Sequence, residues 1–158
     1  MTTLLLIRHG IAEDPRPGQQ DADRALTREG WTKTRAAMKG LVAGGRLPTR
    51  GYSSPYRRAM ETMVCLQEAA GAFPMETSLM VLPEGRVPLA DLWLRGLAAE
   101  ADGVLAIVSH QPFLGELIFH LTGRNLEVKK ASCTVIRWEG GAWRFERQYQ
   151  PSELRHGA

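Results

Sequence analysis

The sequence predicts an α/β fold. It is a three-layer α/β/α sandwich whose central sheet is mostly parallel and ends in a C-terminal antiparallel hairpin. Two observations carry this. Short, continuously apolar runs alternate with segments of helical periodicity as far as Gly123, the pattern of strands buried on both faces by helices. After that, two strand-like runs flank Glu139-Gly140-Gly141, a hairpin signal.

The elements follow in order. Thr3 to Ile7 is an apolar run ending in Arg8-His9-Gly10 and reads as the first strand. Residues 11–24 are polar, carry two prolines and read as a loop. Leu26-Thr27-Arg28-Glu29-Gly30 starts the first helix with Thr27 as N-cap. Trp31, Met38, Leu41 and Val42 form its apolar stripe, and Gly44-Gly45 ends it. Gly51 to Ser53 is a short second strand. Ser54 is placed as N-cap and Pro55 at the first turn of a second helix, with Ala59, Met60, Met63, Leu66 and Ala70 inward. Gly71 to Glu84 is a connection containing the apolar piece Leu79 to Leu82. Leu89, Leu92, Trp93, Leu97 and Ala101 mark a third helix. Val104 to Val108 is a third apolar strand, followed by Ser109-His110-Gln111-Pro112. A fourth helix opens at Pro112, with Leu114, Leu117, Ile118 and Leu121 at helical spacing and Gly123 as its stop. Cys133 to Trp138 and Ala142 to Tyr149 are the hairpin strands.

Composition sets the outer bounds. The chain of 158 residues fits one domain, 1–158, with a real core. It is 44% hydrophobic and 23% charged, ordinary for a globular protein and unlike a disordered or fibrous one. Its net charge of +3 comes from Lys and Arg scattered along the sequence, so no nucleic-acid partner is expected, while anionic ligands are favoured. Cys65 and Cys133 sit in no Cys/His cluster, so no metal is expected; two free thiols are the simpler reading, with a disulfide as the alternative. No apolar run approaches a membrane span or a signal peptide, and the cytoplasm is the expected compartment.

Three segments share one design: Ile7-Arg8-His9-Gly10, Ser53-Ser54-Pro55-Tyr56-Arg57-Arg58 and Val108-Ser109-His110-Gln111-Pro112. Each is a strand whose carboxyl end carries His or Arg, or leads into a helix that does. Ligands of open α/β sheets bind beyond those ends. If the three strands are neighbours, two imidazoles and two guanidiniums converge. Arginine forks match phosphate oxygens, and the N-terminus at Pro112 adds N–H donors. A neutral imidazole near pH 7 can attack phosphorus to give a phospho-imidazole that water then hydrolyses. Gly10, directly after His9, is read as allowing close approach of backbone and ligand. Arg57 points elsewhere than Arg58, Arg24 pins the loop, and His120 and His156 fall outside the pattern. Ser54 lacks a nucleophile elbow. Glu13, Asp14, Asp21 and Asp23 lie on the loop, read either as a solvated segment or as a mobile rim.

These segments resemble the histidine phosphatase superfamily, also called phosphoglycerate mutase-like, and within it the small SixA-type phosphohistidine phosphatases. The resemblance runs through Arg8-His9-Gly10, through Arg24-Ala25-Leu26-Thr27 with Gly30, through Ser54-Pro55-Tyr56-Arg57-Arg58-Ala59-Met60-Glu61-Thr62, and through Ser109-His110-Gln111-Pro112. The closing Tyr149-Gln150-Pro151-Ser152-Glu153-Leu154 also resembles the SixA-type tail. It implies that His9 is the phosphorylated nucleophile, that Arg8, Arg58 and His110 bind the phosphoryl group with help from the Gln111 N–H, and that neither metal nor cofactor takes part.

The region between Arg58 and His110 normally holds the cap of this superfamily. Here it is short, a minimal cap, which favours an open site and phosphohistidine on a protein as substrate. Glu84, in Leu82-Pro83-Glu84-Gly85, is the candidate general acid, with Asp91 behind it. The alternative is a phosphomonoesterase or mutase acting on a small phosphorylated metabolite with Glu84 as acid. A third reading is a phosphate-binding module without turnover.

Overall fold

The structure, a computed structural model, describes residues 1–100 and 102–156. Six strands form one sheet in the order β3-β2-β4-β1-β5-β6. They are β1 (Thr2–Arg8), β2 (Arg50–Ser53), β3 (Met75–Thr77), β4 (Gly103–Ser109), β5 (Cys133–Glu139) and β6 (Ala142–Tyr149). β1, β2, β3 and β4 run parallel, while β5 is antiparallel to both β1 and β6. The expected α/β/α sandwich with a mostly parallel sheet and a C-terminal hairpin is the observed one. The hairpin turn is tighter than read, because Glu139 already pairs with Ala142.

Two cores result from strand alternation, since successive side chains face opposite sides of a sheet. Leu4, Leu6, Leu105, Ile107 and Ile136 pack on one face beneath α3 (Val87–Glu100) and α4 (Phe113–Thr122). Leu5, Ile7, Ala106, Val108, Cys133 and Val135 pack on the other beneath α1 (Arg28–Ala43) and α2 (Arg57–Ala70), with the short α5 (Pro151–Arg155) docked on α1. A Cβ on Gly40 would lie 1.8 Å from the Leu154 carbonyl oxygen, so α1 and α5 meet backbone to side-chain-free backbone. Thr27 caps α1 by accepting from the Gly30 N–H, and Gly123 closes α4 with left-handed φ, as the sequence implies.

Five local readings are refined or corrected. The loop 11–24 contains a 3-10 turn, Asp21–Asp23, and an antiparallel bridge between Ala12 and Leu26. The connection from Gly71 to Glu84 holds a strand that was not expected, ahead of the apolar piece Leu79 to Leu82. The edge strand is β3, just before it, and Leu79–Val81 is a 3-10 turn. A three-residue edge strand is too short to show periodicity. α2 starts at Arg57 with Tyr56 as its extended N-cap, because Ser54 Oγ is occupied by the Tyr56 N–H and by His110. Finally, α3 is rotated from the expected stripe. Ala90, Asp91, Leu94 and Ala98 are buried, whereas Leu89 and Leu92 are exposed, and Ala101 lies outside the described residues. Apolar residues on every side of α3 blur its period, and a buried carboxylate decides it. In α2, Met60 is likewise only half-buried, and Thr62, Met63, Cys65 and Leu66 line the inner face.

That carboxylate, Asp91, is 7% exposed. It accepts from Trp143 Nε1 (2.9 Å) and Arg95 Nε (2.9 Å) and meets His120 Nε2 (3.0 Å). It thus ties α3 to α4 and β6. Burial opposes its ionisation, but the hydrogen bonds from Arg95, Trp143 and His120 outweigh it and hold Asp91 below the usual carboxylate range. Cys65 and Cys133 are free and buried, and burial pushes both thiols up to about 12.

Asp91→Ala leaves the Trp143 N–H without its acceptor and removes the tie between three elements. A loss of about 3 kcal/mol in unfolding free energy is expected, read from urea denaturation.

Candidate functional site

The parallel register builds the site. Arg8 pairs with Ser109 across β1 and β4, and Ser53 pairs with Val108 across β2 and β4. The residues that follow therefore emerge at one level: His9, His110 and Ser54. Backbone bonds extend the register past the strand ends, from His9 N to Ser109 O (3.1 Å) and from Ser54 N to Val108 O (3.0 Å). The three segments singled out in the sequence are neighbours, and their charged groups converge.

The imidazoles of His9 and His110 lie with ring centroids 5.0 Å apart. His9 Nδ1 is 2.7 Å from the Gly10 carbonyl oxygen. A carbonyl only accepts, so Nδ1 carries the proton and Nε2 carries the lone pair. Arg58 Nε donates to that Nε2 over 3.4 Å. Burial, with the positive charges of Arg58, Arg8 and Lys130, outweighs the Gly10 bond and pushes His9 down to about 3. Burial, then His9 and Arg58, push His110 down to about 3 as well. Both rings are neutral at physiological pH.

His110 Nε2 is 2.7 Å from Ser54 Oγ. Ser54 Oγ already accepts from the Tyr56 N–H (3.2 Å), so its own proton is available to His110 Nε2. That assigns the His110 proton to Nδ1, which is buried and has no protein partner among the described residues. Ser54 is therefore a support for His110 rather than a helix cap.

Arg58 is 4% exposed and crosses between elements. Its NH1 donates to the Asp21 carbonyl oxygen (2.8 Å) and its NH2 to Asp21 Oδ2 (3.0 Å). Its guanidinium lies 5.1 Å from the centre of the Tyr56 ring, which meets His110 edge-on at 5.2 Å. Arg8 NH1 donates to Val128 O (2.9 Å), while Arg8 Nε is buried without a partner among the described residues. The Gln111 side chain accepts from the Gly115 N–H over 2.7 Å, and its backbone N–H has no protein acceptor among the described residues. The Gln111–Pro112 peptide is cis, and Pro112 is the cap residue before α4.

Two motif positions gain a physical reason. The Thr62 hydroxyl donates to Arg58 O (2.9 Å) and accepts from the Gly10 N–H (3.1 Å), locking the segment that follows β1 to α2. At Gly10 the pressure comes from the protein itself. An added Cβ would sit 2.0 Å from Thr34 Oγ1, so the glycine admits α1 rather than a ligand.

Asp21 is the site residue that sequence reasoning left undistinguished among the loop acids. The loop is pinned rather than mobile. Arg24 bonds Asp21 Oδ1 (2.8 Å) and Glu13 O (2.7 Å), and the Ala25 N–H bonds Glu13. Burial works against the Asp21 charge, but Arg24 and Arg58 keep it below the usual range. Only the surplus of donors on Arg58 could have pointed to it. Glu84 is exposed in the turn before α3, near enough to Tyr56 to raise its hydroxyl further after burial has done so. Among the described residues no hydrogen bond or ion pair joins Glu84 to His9, Arg8, Arg58 or His110. Arg57 pairs with Glu61 on the surface. No group of His, Cys, Asp and Glu among the described residues could hold a metal ion. No described helix is long and apolar enough to cross a membrane.

Paired imidazoles and converging guanidiniums beyond the carboxyl ends of a parallel sheet define a phosphoryl-handling α/β protein. Residues 4–79 match the model of the histidine phosphatase superfamily, branch 1. A protein of unassigned role from Picosynechococcus sp. is 33% identical over 147 residues, covering 90% of this chain and 88% of its own. Phosphohistidine phosphatase SixA of Escherichia coli is 28% identical over 159 residues, covering 96% of each chain. The fold matches that of the protein histidine phosphatase SixA solved with tungstate, with TM-score 0.89, 24% identity and coverage of 96% and 99% of the two chains. The chain belongs to the histidine phosphatase superfamily. Its activity class is that of a phosphatase, a hydrolase.

Two predictions follow from this geometry. Below pH of about 6.5 the unfolded chain takes up protons on these two histidines that the folded chain refuses until about 3, so stability falls as pH drops through that window. The urea midpoint in phosphate-free buffer is expected to decrease between pH 7.5 and 5, and to decrease less in His110→Gln. Asp21→Ala frees Arg58 to swing, and a fall of about tenfold in kcat/KM is expected in steady-state assays, smaller in Asp21→Asn, which keeps a side-chain acceptor.

Proposed function

We propose that this protein removes the phosphoryl group from phosphohistidine on another protein, passing it through a phosphohistidine at His9. The bare Nε2 of His9 carries the reading: its partner nitrogen is fixed on Gly10 O, and donors stand around it. Nε2 attacks phosphorus, a P–Nε2 bond forms, and the bond from phosphorus to the substrate imidazole breaks. The substrate imidazole leaves neutral when its other ring nitrogen carries the proton. In this reading Arg58, Arg8 Nε, His110 Nδ1–H and the Gln111 N–H neutralise the equatorial oxygens during transfer, and the buried, unpartnered state of Arg8 Nε and His110 Nδ1 among the described residues supports it. Water then attacks phosphorus, the P–Nε2 bond breaks, and phosphate leaves with His9 again neutral.

The choice of substrate rests on the leaving group. An ester needs a proton donor for its alkoxide, whereas an imidazole does not. Among the described residues, the carboxylate bonded to this group of four is Asp21, held ionised by Arg24 and Arg58 and so unsuited to give up a proton. Glu84 has no bond to the four. Between α2 and β4 the described chain adds only β3, a 3-10 turn and α3, the minimal cap of a chain read as one domain, 1–158. The name of the Escherichia coli relative points the same way.

Incubation with a phosphohistidine carrier domain, followed by acid-labile phosphate release, tests this. Wild type is expected to turn it over through a trapped phosphoenzyme. His9→Ala is expected to form none and to lose activity by about a thousandfold or more, with Glu84→Gln within about twofold of wild type. Turnover of small phosphate esters that collapses in Glu84→Gln, with no phosphohistidine activity, would establish the metabolite reading instead. Anion binding with neither phosphoenzyme nor turnover would establish a binding module.

A further inference from the structure

Lysine and arginine are scattered along the chain, but the fold gathers five of them around one hollow. Arg8, Lys33, Lys129, Lys130 and Arg155 line a depression of about 460 Å³, together with Ile11, Ala131 and one acid, Glu127. They come from β1, α1, the loop before β5 and α5. This gives the hollow a formal charge of +4 against +3 for the whole chain, so the rest of the molecule carries a slight negative excess. Among the described residues, Lys33 is the member of the five with a carboxylate in ion-pair range, Glu29 at 3.2 Å. Elsewhere the guanidiniums of Arg35, Arg46, Arg57, Arg95 and Arg147 are paired with acids. The hollow thus concentrates five cations against one acid.

The hollow is continuous with the catalytic site. Arg8 belongs to both, and Lys130 is close enough to His9 to help lower its basicity. Its chemistry differs from that of the site, however. A phosphate subsite is built from guanidinium forks and converging N–H groups on buried backbone. Here Lys129 and Lys130 are exposed point charges on flexible stems, and the Arg8 guanidinium is engaged with Val128 O. Spread, solvated ammonium groups suit several carboxylates on a facing surface, where they steer encounter and set orientation.

We infer that this hollow docks an acidic patch on the protein that carries the phosphohistidine, holding it while the phosphoryl group reaches His9. The inference rests on the proposed function and names the kind of partner it takes. Lys129→Glu combined with Arg155→Glu leaves the four converging groups untouched. The assay compares a histidine-phosphorylated carrier domain of net negative charge with phosphoimidazole, which carries the same leaving group and no surface. The double variant is expected to lose about tenfold or more in kcat/KM on the carrier, through KM, with phosphoimidazole turnover within about twofold. Added salt is expected to weaken wild type on the carrier and to affect the variant much less.

Unchanged kcat/KM on the carrier overturns the inference, as does a parallel loss on phosphoimidazole. An effect confined to a bisphosphorylated metabolite also overturns it and assigns the hollow to a second phosphate. A wild-type protein that turns over phosphoimidazole but no carrier overturns the proposed function itself, which separates the two failures.

Discussion

The parallel pairing of β1 with β4, and of β4 with β2, is the constraint on which the rest depends. Parallel strands are set in register by a ladder of backbone bonds, and here the ladder ends all three strands at one level. A slip of one residue in β1 against β4 would turn Leu5 and Ile7 to the opposite core and carry His9 away from His110. The apolar alternation that stabilises the sheet and the meeting of the two imidazoles are thus one geometric fact. Packing on both faces enforces it, since Leu4 to Ile7 are essentially inaccessible to solvent.

The polar groups next to those strand ends are specified nearly as tightly. Thr62 bonds both Gly10 N–H and Arg58 O, Ser54 bonds His110, and Ser109 Oγ donates to Val81 O (2.6 Å). Each hydroxyl satisfies a neighbour that would otherwise be buried unpaired. Together with the Gly10 carbonyl they hold the imidazoles at fixed distance and in fixed tautomers. The electrostatics agree. Burial, joined by the arginines at either side, disfavours a charged ring, so His9 keeps its lone pair well below neutral pH.

Much of this was legible in the sequence, and the reason differs between elements. The strands β1 and β4 are continuous apolar runs with no competing reading, and the residues at their ends carry chemistry that simple topology brings together. The helices α1 and α4 announce themselves through Thr27 and Gly123. What stayed hidden depends on contacts distant in sequence. β3 is too short to show a period. The rotation of α3 is set by Asp91 finding Trp143 and His120, residues 52 and 29 positions away. Asp21 becomes part of the site only because Arg58, 37 positions on, reaches it. The gathering of cations beside Arg8 joins residues from both ends of the chain. Local pattern carries no trace of such pairings.

Arg8 Nε and His110 Nδ1, buried and unpartnered among the described residues, point to a thermodynamic coupling. Buried donors without acceptors raise the free energy of the folded state, and an anion that satisfies them lowers it. Folding and anion occupancy of this site are then linked equilibria: the concentration of a bound anion sets how far the native population is favoured over the unfolded one.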